Sequence, residues 1–220
     1  MHIYKATGDP NIGLYCFTTN NYCLVGKEVS DKHVENIQKV LKVPVHKITI
    51  AGTSLLGVFV TGNDNCLLLP EITYPEELVV LDKLGIKYEV IETSLTALGN
   101  NMLCNEKGAL LSKEFSVSAK TKIEKALKVK SKFITIANFD TLGSLGSFNT
   151  FGGIFHFDVT ESEVKIIESV LGIKVYKGTV NLGNPYIRSG LLCNDNGFVV
   201  GGLTMGPELN DIDENLGFLG

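Results

Sequence analysis

Cysteine and histidine are the side chains of this sequence to consider first for catalysis or metal binding, because a thiolate is a nucleophile and both residues bind zinc. The chain contains five cysteines and four histidines: Cys16, Cys23, Cys66, Cys104, Cys193, His2, His33, His46 and His156. No two cysteines have Cys-x-x-Cys spacing, and no two histidines have metal-ligand spacing within one predicted element. An odd number of cysteines also gives no disulfide framework. We therefore expect reduced structural thiols, no metal and no cofactor.

The charge of the chain indicates a protein partner more than a nucleic acid. Its formal net charge of −4 lacks the basic footprint of proteins whose affinity comes from neutralising phosphates. One basic cluster stands out, for which a solvated helix face and a contact with RNA both remain open. The cluster consists of Lys120, Lys122, Lys125, Lys128, Lys130 and Lys132.

The hydrophobic pattern is that of a globular protein in water. Hydrophobic residues make up 44% and charged residues 20% of the chain. No apolar run approaches the roughly 18 residues of a membrane span, and the first ten residues lack the apolar core of a signal peptide. We expect a cytoplasmic protein that contacts neither membranes nor DNA.

Five internal repeats account for the length of the chain. Anchor positions recur at spacings of 44, 42, 44 and 45 residues, a period typical of repeat architectures. The anchors are Gly13, Gly57, Gly99, Gly143 and Arg188. An asparagine follows each later anchor by six residues, and the first unit has Asn20 one place later. The four later asparagines are Asn63, Asn105, Asn149 and Asn194.

The pattern of each repeat predicts two strands, a helix and a third strand. The asparagines lie in short polar turns between apolar runs, as in residues 58–69, which predicts a β-hairpin. A Ser or Thr 16 or 17 residues after each anchor predicts a helix N-cap. The predicted N-caps are Ser30, Thr73, Ser116, Thr160 and Thr204. Glu76 and Glu163 stand at capping-box spacing from two of them. Third strands are predicted at residues 45–50, 88–91, 133–136 and 174–180.

The fifth repeat lacks its third strand, because its predicted helix at residues 207–216 is followed by only four residues. A matching run lies at residues 2–7, which precede Gly8 as residues 47–51 precede Gly52. We predict that this N-terminal strand completes the fifth repeat and closes the chain into a ring without exposed strand edges. The fold class is then α/β, a closed ring of five strand-strand-helix-strand repeats in one domain over residues 1–220.

Four segments resemble signatures of the translation initiation factor 6 family in its archaeal form. They are residues 95–100 (Leu-Thr-Ala-Leu-Gly-Asn), residues 178–181 (Gly-Thr-Val-Asn), Asn194-Asp195 with Gly197, and residues 204–209 (Thr-Met-Gly-Pro-Glu-Leu). The resemblance in register extends over the full chain, which ends soon after the fifth helix, where eukaryotic members usually carry a long tail. Three positions depart from the family pattern: Arg188 replaces a small residue, Leu182 a frequent basic residue and Phe157 a proline.

The resemblance implies a pentein fold, a β/α-propeller with fivefold pseudosymmetry. It also implies a ribosome anti-association factor, which binds the large ribosomal subunit and prevents premature joining of the small subunit. A role in large-subunit maturation or recycling goes with this activity. The implied partner is a ribosomal protein near the sarcin-ricin loop, and contact with adjacent ribosomal RNA remains open. We expect a monomer.

Penteins also include guanidine-modifying enzymes of the arginine deiminase or amidinotransferase type, which use a cysteine, a histidine and carboxylates at the central channel. The loops that should rim this channel offer Asp9 and Asp140, without cysteine or histidine. All five cysteines fall in predicted strands, and Cys104 and Cys193 occupy equivalent places, as packing residues do. We predict that the chain is not an enzyme. A scaffold ring with a non-ribosomal protein partner remains open as a third class.

The resemblance places the ribosome contact one or two residues after the anchors, where a ring brings five units together near one mouth. Alignment on the anchors gives Val58, Asn100 and Leu145 as contact residues, with Asn101 and Ser144 as neighbours. For Val58 and Leu145 an ordinary place in the core remains open. Adjacent asparagines are disfavoured in the strand expected at residues 100 and 101, and an amide can donate and accept in partner recognition.

Overall fold

The structure is a computed structural model that describes residues 2–4 and 9–219, with only the backbone for residues 2 and 4. The described strands form five sheets of three. Their bounds, sheet by sheet in chain order of the hairpins, are β2 (Cys16–Thr18), β3 (Cys23–Gly26) and β4 (Val45–Ile48); β5 (Thr61–Asn63), β6 (Cys66–Pro70) and β7 (Tyr88–Ile91); β8 (Met102–Cys104), β9 (Gly108–Leu111) and β10 (Lys130–Phe133); β11 (Gly146–Phe148), β12 (Gly152–His156) and β13 (Lys174–Gly178); β14 (Leu191–Asn194), β15 (Gly197–Gly201) and β1 (His2–Tyr4).

All five sheets follow the predicted plan of a hairpin and a third strand. In the second sheet β5 is antiparallel to β6, and β7 is parallel to β6. The middle strands, such as β6 with Leu67 to Leu69, are buried throughout, as expected for continuous apolar runs. One third strand was placed wrongly from the sequence, since β10 begins at Lys130 instead of residue 133. The strand begins with lysines, so a prediction based on runs of apolar residues placed it too late in the sequence.

Ten helical segments lie among the described residues, five long and five short. The long helices are α2 (Asp31–Leu41), α4 (Pro75–Lys83), α6 (Val117–Leu127), α7 (Glu161–Leu171) and α9 (Gly206–Asn215). The short segments are the four-residue helices α1 (Ile12–Tyr15), α3 (Leu56–Phe59), α5 (Leu98–Asn101) and α8 (Ile187–Gly190), and a 3-10 turn at Leu142–Ser144. Across the part of the chain that the structure describes, no helix is both long and apolar enough to span a membrane.

The predicted helix N-caps are confirmed in three units and displaced by one residue in two. The Thr160 and Glu163 capping box is present, with Thr160 N donating to Glu163 Oε2 at 2.8 Å. Ser116 also caps its helix through its side chain, and Ser30 is the N-cap of α2. Tyr74 and Met205 are the N-caps of α4 and α9, because a proline follows within the first two helical positions of each.

The core lies between consecutive units, since each long helix packs on the sheet of the unit before it. α6 packs on β6 and β7, α7 on β9, and α9 on β12 and β13. In the same way, Leu81 of α4 lies in one cluster with Leu24 of β3. α2 of the first unit packs on β15 and β1 of the fifth. No unit therefore buries its apolar residues alone.

The repeated turn asparagines join neighbouring units. The Nδ2 groups of Asn63, Asn105, Asn149 and Asn194 donate to the carbonyl oxygens at the ends of α6, α7, α9 and α2 respectively, at 2.7 to 3.1 Å. Each asparagine also accepts from amides of its own turn through Oδ1. In the first unit the corresponding residue is Thr19, whose hydroxyl accepts from Asn21 N, so the sequence-based alignment of Asn20 was wrong by one residue.

The third strand of the fifth sheet comes from the N-terminus of the chain. β1 lies parallel to β15, with Ile3 opposite Val200. The sequence predicted a strand over residues 2–7, of which residues 5–7 lie outside the described residues.

Candidate functional site

The five short helical segments contact one another in a cyclic order. α1 contacts α3, α3 contacts α5, α5 contacts the 3-10 turn, the 3-10 turn contacts α8, and α8 contacts α1. The anchors are the second residues of these segments. A Cβ on Gly57 would lie 1.8 Å from the carbonyl oxygen of Gly13, and one on Gly13 would lie 1.7 Å from that of Arg188. Four of the five anchors are glycines, because the neighbouring backbones approach too closely there for a side chain; the fifth anchor is Arg188.

The residue after each anchor is partly exposed, and we call this set the anchor face. Its members are Leu14, Val58, Asn100, Ser144 and Ser189. Three of the predicted contact residues, Val58, Asn100 and Ser144, belong to it. They lie on α3, α5 and the 3-10 turn, which are consecutive in the contact order. The structure thus brings these three residues to adjoining segments.

The other two predicted contact residues are buried. Asn101 is 6% exposed and donates from Nδ2 to Ala97 O at 2.8 Å, while its own carbonyl accepts from Ser112 N at 2.9 Å. Leu145 is fully buried in a core cluster, and its carbonyl accepts from His156 N at 2.8 Å. In this arrangement both residues fix the segments that carry Asn100 and Ser144, and neither side chain presents a surface for contact.

The strand predicted at Val58 and Asn100 is wrong. Both residues lie in helical turns, where Val58 N donates to Leu55 O at 3.1 Å and Asn100 N to Ala97 O at 3.0 Å. The strands begin three residues after Val58 and two after Asn100. A helical turn of four residues is too short to show a period in the sequence, and the apolar residues on both sides favoured a strand.

Two carboxylates hold the loops that lead into anchors. Glu77 is 7% exposed and accepts from Ala51 N at 2.7 Å and Gly52 N at 3.0 Å. Ala51 has a φ of 53°, a left-handed conformation that costs energy for a residue with a Cβ. Glu208 accepts from Gly183 N at 2.8 Å in the same way. These bonds fix the loops beside the anchor face.

Aromatic side chains are exposed on loops near the fourth and fifth anchors, a feature not predicted from the sequence. Phe139 is 41% and Tyr186 42% exposed, and their ring centroids lie 6.4 Å apart. The His156 ring lies 5.9 Å from that of Phe139 and 4.8 Å from that of Phe157. The sequence offered one sign of this patch: an aromatic residue two residues before the fifth anchor and another four residues before the fourth anchor. An apolar patch with aromatic rings is typical of protein-binding surfaces.

A cavity of about 90 Å³ lies between α1, α8 and the first strands of the five hairpins. Cys16, Cys104 and Cys193 line it from their strands, which the absence of cysteine from the predicted rim loops did not indicate. Burial raises the pKa of the Cys104 thiol to about 11 and that of Cys193 to about 12. The described residues around the cavity include no histidine and no carboxylate that could activate a thiol. In residues 2–4 and 9–219, no group of three potential ligands could hold a metal ion.

The predicted basic cluster follows α6 and β10, and its lysines are only partly paired. Lys120 pairs with Glu124, and Lys122 lies 3.3 Å from Glu92. Three further members line one shallow depression with Glu124: Lys125, Lys128 and Lys130. The solvated helix face and the contact with RNA remain alternatives for these three.

The sequence of the chain has close relatives among archaeal proteins. The profile of the eIF-6 family matches residues 1–215. Translation initiation factor 6 of Saccharolobus islandicus is 38% identical over 213 residues, which cover 96% of both chains. That of Sulfolobus acidocaldarius is 39% identical over 92% of both chains, and that of Thermococcus onnurineus 34% over the full length of both.

Among solved structures, SxtG, an amidinotransferase from Microseira wollei, aligns with a TM-score of 0.40 and 14% identity. The alignment covers 58% of this chain and 40% of the amidinotransferase chain, and a likeness this weak says nothing about activity. The sequence relatives are much more similar, since they match 92–100% of the chain at 34–39% identity. Members of the matching family are translation factors and not enzymes. The chain belongs to the eIF-6 family.

Proposed function

We propose that this translation initiation factor binds the large ribosomal subunit and prevents the small subunit from joining prematurely. The observation that carries the proposal is the match to the eIF-6 family over residues 1–215, together with archaeal relatives named translation initiation factor 6. The work of such a factor is steric, because a body of 23.9 kDa on the intersubunit surface occupies the space of the small subunit. This requires neither ATP nor metal. Binding and release would serve large-subunit maturation or recycling in the cytoplasm.

The architecture that suits this role is one closed ring of five units, the pentein β/α-propeller, in a single domain over residues 1–220. Its support is the cyclic contact order of the short segments and the packing of α2 on the fifth sheet. The pairing of β1 with β15 supports it as well. Asn194 of the fifth unit donates to Leu41 O of the first, as Asn149 donates to Leu216 O. A closed ring is rigid, which lowers the entropy lost on binding.

The anchor face is the proposed contact surface. Val58 offers an apolar side chain, Asn100 an amide and Ser144 a hydroxyl, and all three are partly exposed. Asn101 and Leu145 would support them from beneath, since both are buried. The exposed rings of Phe139 and Tyr186 would extend the apolar part of the surface.

The proposed partner is a ribosomal protein near the sarcin-ricin loop. The net charge of −4 and the uncharged side chains of the anchor face suit a protein better than a phosphate backbone. Adjacent ribosomal RNA could be reached by the lysines of α6 and β10, as a second and weaker contact. The factor would act as a monomer.

Subunit joining tests the proposal directly. Vacant ribosomal subunits are mixed with excess factor and separated on a sucrose gradient. We expect joined ribosomes to decrease, free subunits to increase, and the factor to sediment with the large subunit. An unchanged gradient, with the factor remaining at the top at every salt concentration, would reject the proposal.

A further inference from the structure

The central cavity contains a cation that the proposed function does not use. Arg188 lies on α8 and lines the cavity together with residues of the first strands. Its Nη2 donates to Val60 O at 3.4 Å, across to the second unit. The guanidinium has five N–H donors, and Arg188 lines the cavity. Its nitrogens that make no bond are accessible, since no buried side-chain nitrogen among the described residues lacks a partner. Donors that face a cavity are available to a ligand.

The charge of Arg188 has no protein counterion in the described part of the chain. No carboxylate of residues 9–219 lies within ion-pair distance of the guanidinium. The nearby thiols of Cys104 and Cys193 are neutral at pH 7, because burial raises their pKa to about 11 and about 12. Burial lowers the pKa of Arg188, but a guanidinium remains charged in proteins. Arg188 is partly exposed, and a counterion in the narrow cavity lowers the cost of holding its unpaired charge there.

A hydroxyl group of the wall can add a donor to the same space. Ser147 Oγ lies 3.3 Å from Cys193 Sγ, and either atom can be the donor. Where the thiol donates to the hydroxyl oxygen, the hydroxyl proton is free to point into the cavity. An anion there would accept bonds from both the guanidinium and a hydroxyl.

We propose that this cavity binds one small monovalent anion on Arg188, either an inorganic ion such as chloride or a small carboxylate such as formate. A volume of about 90 Å³ admits such an ion and excludes nucleotides. An adjoining cavity of about 70 Å³ shares Thr18 and Cys104 with it and opens among the hairpin turns. Carboxylates of Asp64, Glu106 and Asp195 line that second cavity, and they repel an anion of higher charge more strongly than a monovalent one.

Thermal melts at constant ionic strength test for the bound anion. The reference buffer contains gluconate, a carboxylate too bulky for the cavity, and chloride or formate replaces it stepwise. The test variant is Arg188→Gln. The control variant is Lys113→Gln, which removes an exposed cation elsewhere on the protein. We expect the midpoint of the parent and of Lys113→Gln to rise saturably, by roughly 5–10 °C at a hundredfold excess over Kd. The midpoint of Arg188→Gln should not respond. Which of the two ions acts at lower concentration distinguishes an inorganic from a carboxylate ligand.

A crystal of the parent soaked in bromide gives an independent answer, which also holds if Arg188→Gln fails to fold. We expect an anomalous peak within hydrogen-bond distance of the guanidinium. No peak, together with melts of the parent that do not respond to chloride or formate, would overturn the proposal. Arg188 would then act only as a bridge to Val60 across the ring.

Discussion

Glu124 connects the basic helix α6 to strand β10. Its carboxylate accepts from Lys120 Nζ, from Ser131 N at 2.7 Å and from Ser131 Oγ at 3.0 Å. The bond from Lys120, followed by those from Ser131, lowers the pKa of Glu124 from 4.5 to about 2. The carboxylate thus neutralises one lysine of a cluster that otherwise repels itself.

The substitution Glu124→Gln should lower the free energy of unfolding by about 1 kcal/mol at neutral pH, a value reduced for partial exposure. The folded pKa of Glu124 lies below the unfolded one. Its contribution is therefore complete above about pH 4.5 and is lost as the pH falls towards about 2. Urea unfolding of parent and variant across this range should show the two curves converging in acid. Glu114→Gln, a change on the exposed surface, is the control. A difference as large at pH 2 as at pH 7 would contradict the assignment.

At the scale of residues, the sequence indicated which positions are special better than it indicated what their side chains contact. The anchors were found from their spacing alone, because a close approach of backbones allows only glycine. Arg188 was recognised as the exception, but its entry into the cavity was not predictable, since that depends on strands from all five units. The burial of Leu145 could not be read from the sequence either, because an apolar residue after an anchor suits both a core and an interface.

The ends of the long helices depend on turns in the unit before them. Asn149, 6% exposed, donates to Leu216 O at 3.0 Å and accepts from Phe151 N and Gly152 N. One amide thereby satisfies a carbonyl that the helix leaves free and two amides of its own turn. Sequence spacing identified Asn149 as a turn residue and could not identify it as a cap, because its partner lies 67 residues away.

Replacing Asn149 by alanine should cost about 2–3 kcal/mol, since three backbone groups lose their partner and two of these bonds are buried. For a chain of this size the midpoint should fall by roughly 4–12 °C. Asn21→Ala changes an exposed residue in the equivalent turn of the first unit and should leave the midpoint nearly unchanged. Differential scanning calorimetry of the three proteins measures both effects. Equal midpoints for Asn149→Ala and the parent would show that the bond to Leu216 does not hold the helix.

Hairpins and long helices were predictable as elements, and the short helical segments were not. The hairpins follow from polar turns between apolar runs, a local signal. α3 and α5 contain only four residues each, and what stabilises them is contact with the neighbouring segments. Adjacent asparagines at the end of α5 were the one local sign against a strand.

At the scale of the whole molecule, neighbouring units share one core, so the loss of one edge strand should destabilise the entire chain. Deleting residues 1–4 removes β1, exposes the edge of β15 and uncovers the apolar residues that Ile3 packs against. We expect the entire chain to unfold in a single cooperative transition with a lower thermal midpoint than the parent. Far-UV and near-UV circular dichroism measure this transition. A transition at the midpoint of the parent would show that β1 is a dispensable tail and would count against a closed ring.

The anchor face is the surface that we propose meets the large ribosomal subunit and so blocks joining. Asn100→Asp puts a charge into the proposed contact, where an uncompensated buried charge costs several kcal/mol and weakens binding by orders of magnitude. Asn21→Asp adds the same charge on an exposed residue of a hairpin turn, away from the short segments. Both variants should melt close to the parent, since neither residue is buried.

The decisive measurement is a sucrose-gradient titration of subunit joining with the parent, Asn100→Asp and Asn21→Asp. We predict that the parent and Asn21→Asp prevent joining at similar concentrations, and that folded Asn100→Asp requires at least a tenfold excess over the parent. If folded Asn100→Asp prevents joining as well as the parent, the contact does not lie on the anchor face. If neither variant nor parent affects joining, the anti-association function itself is contradicted.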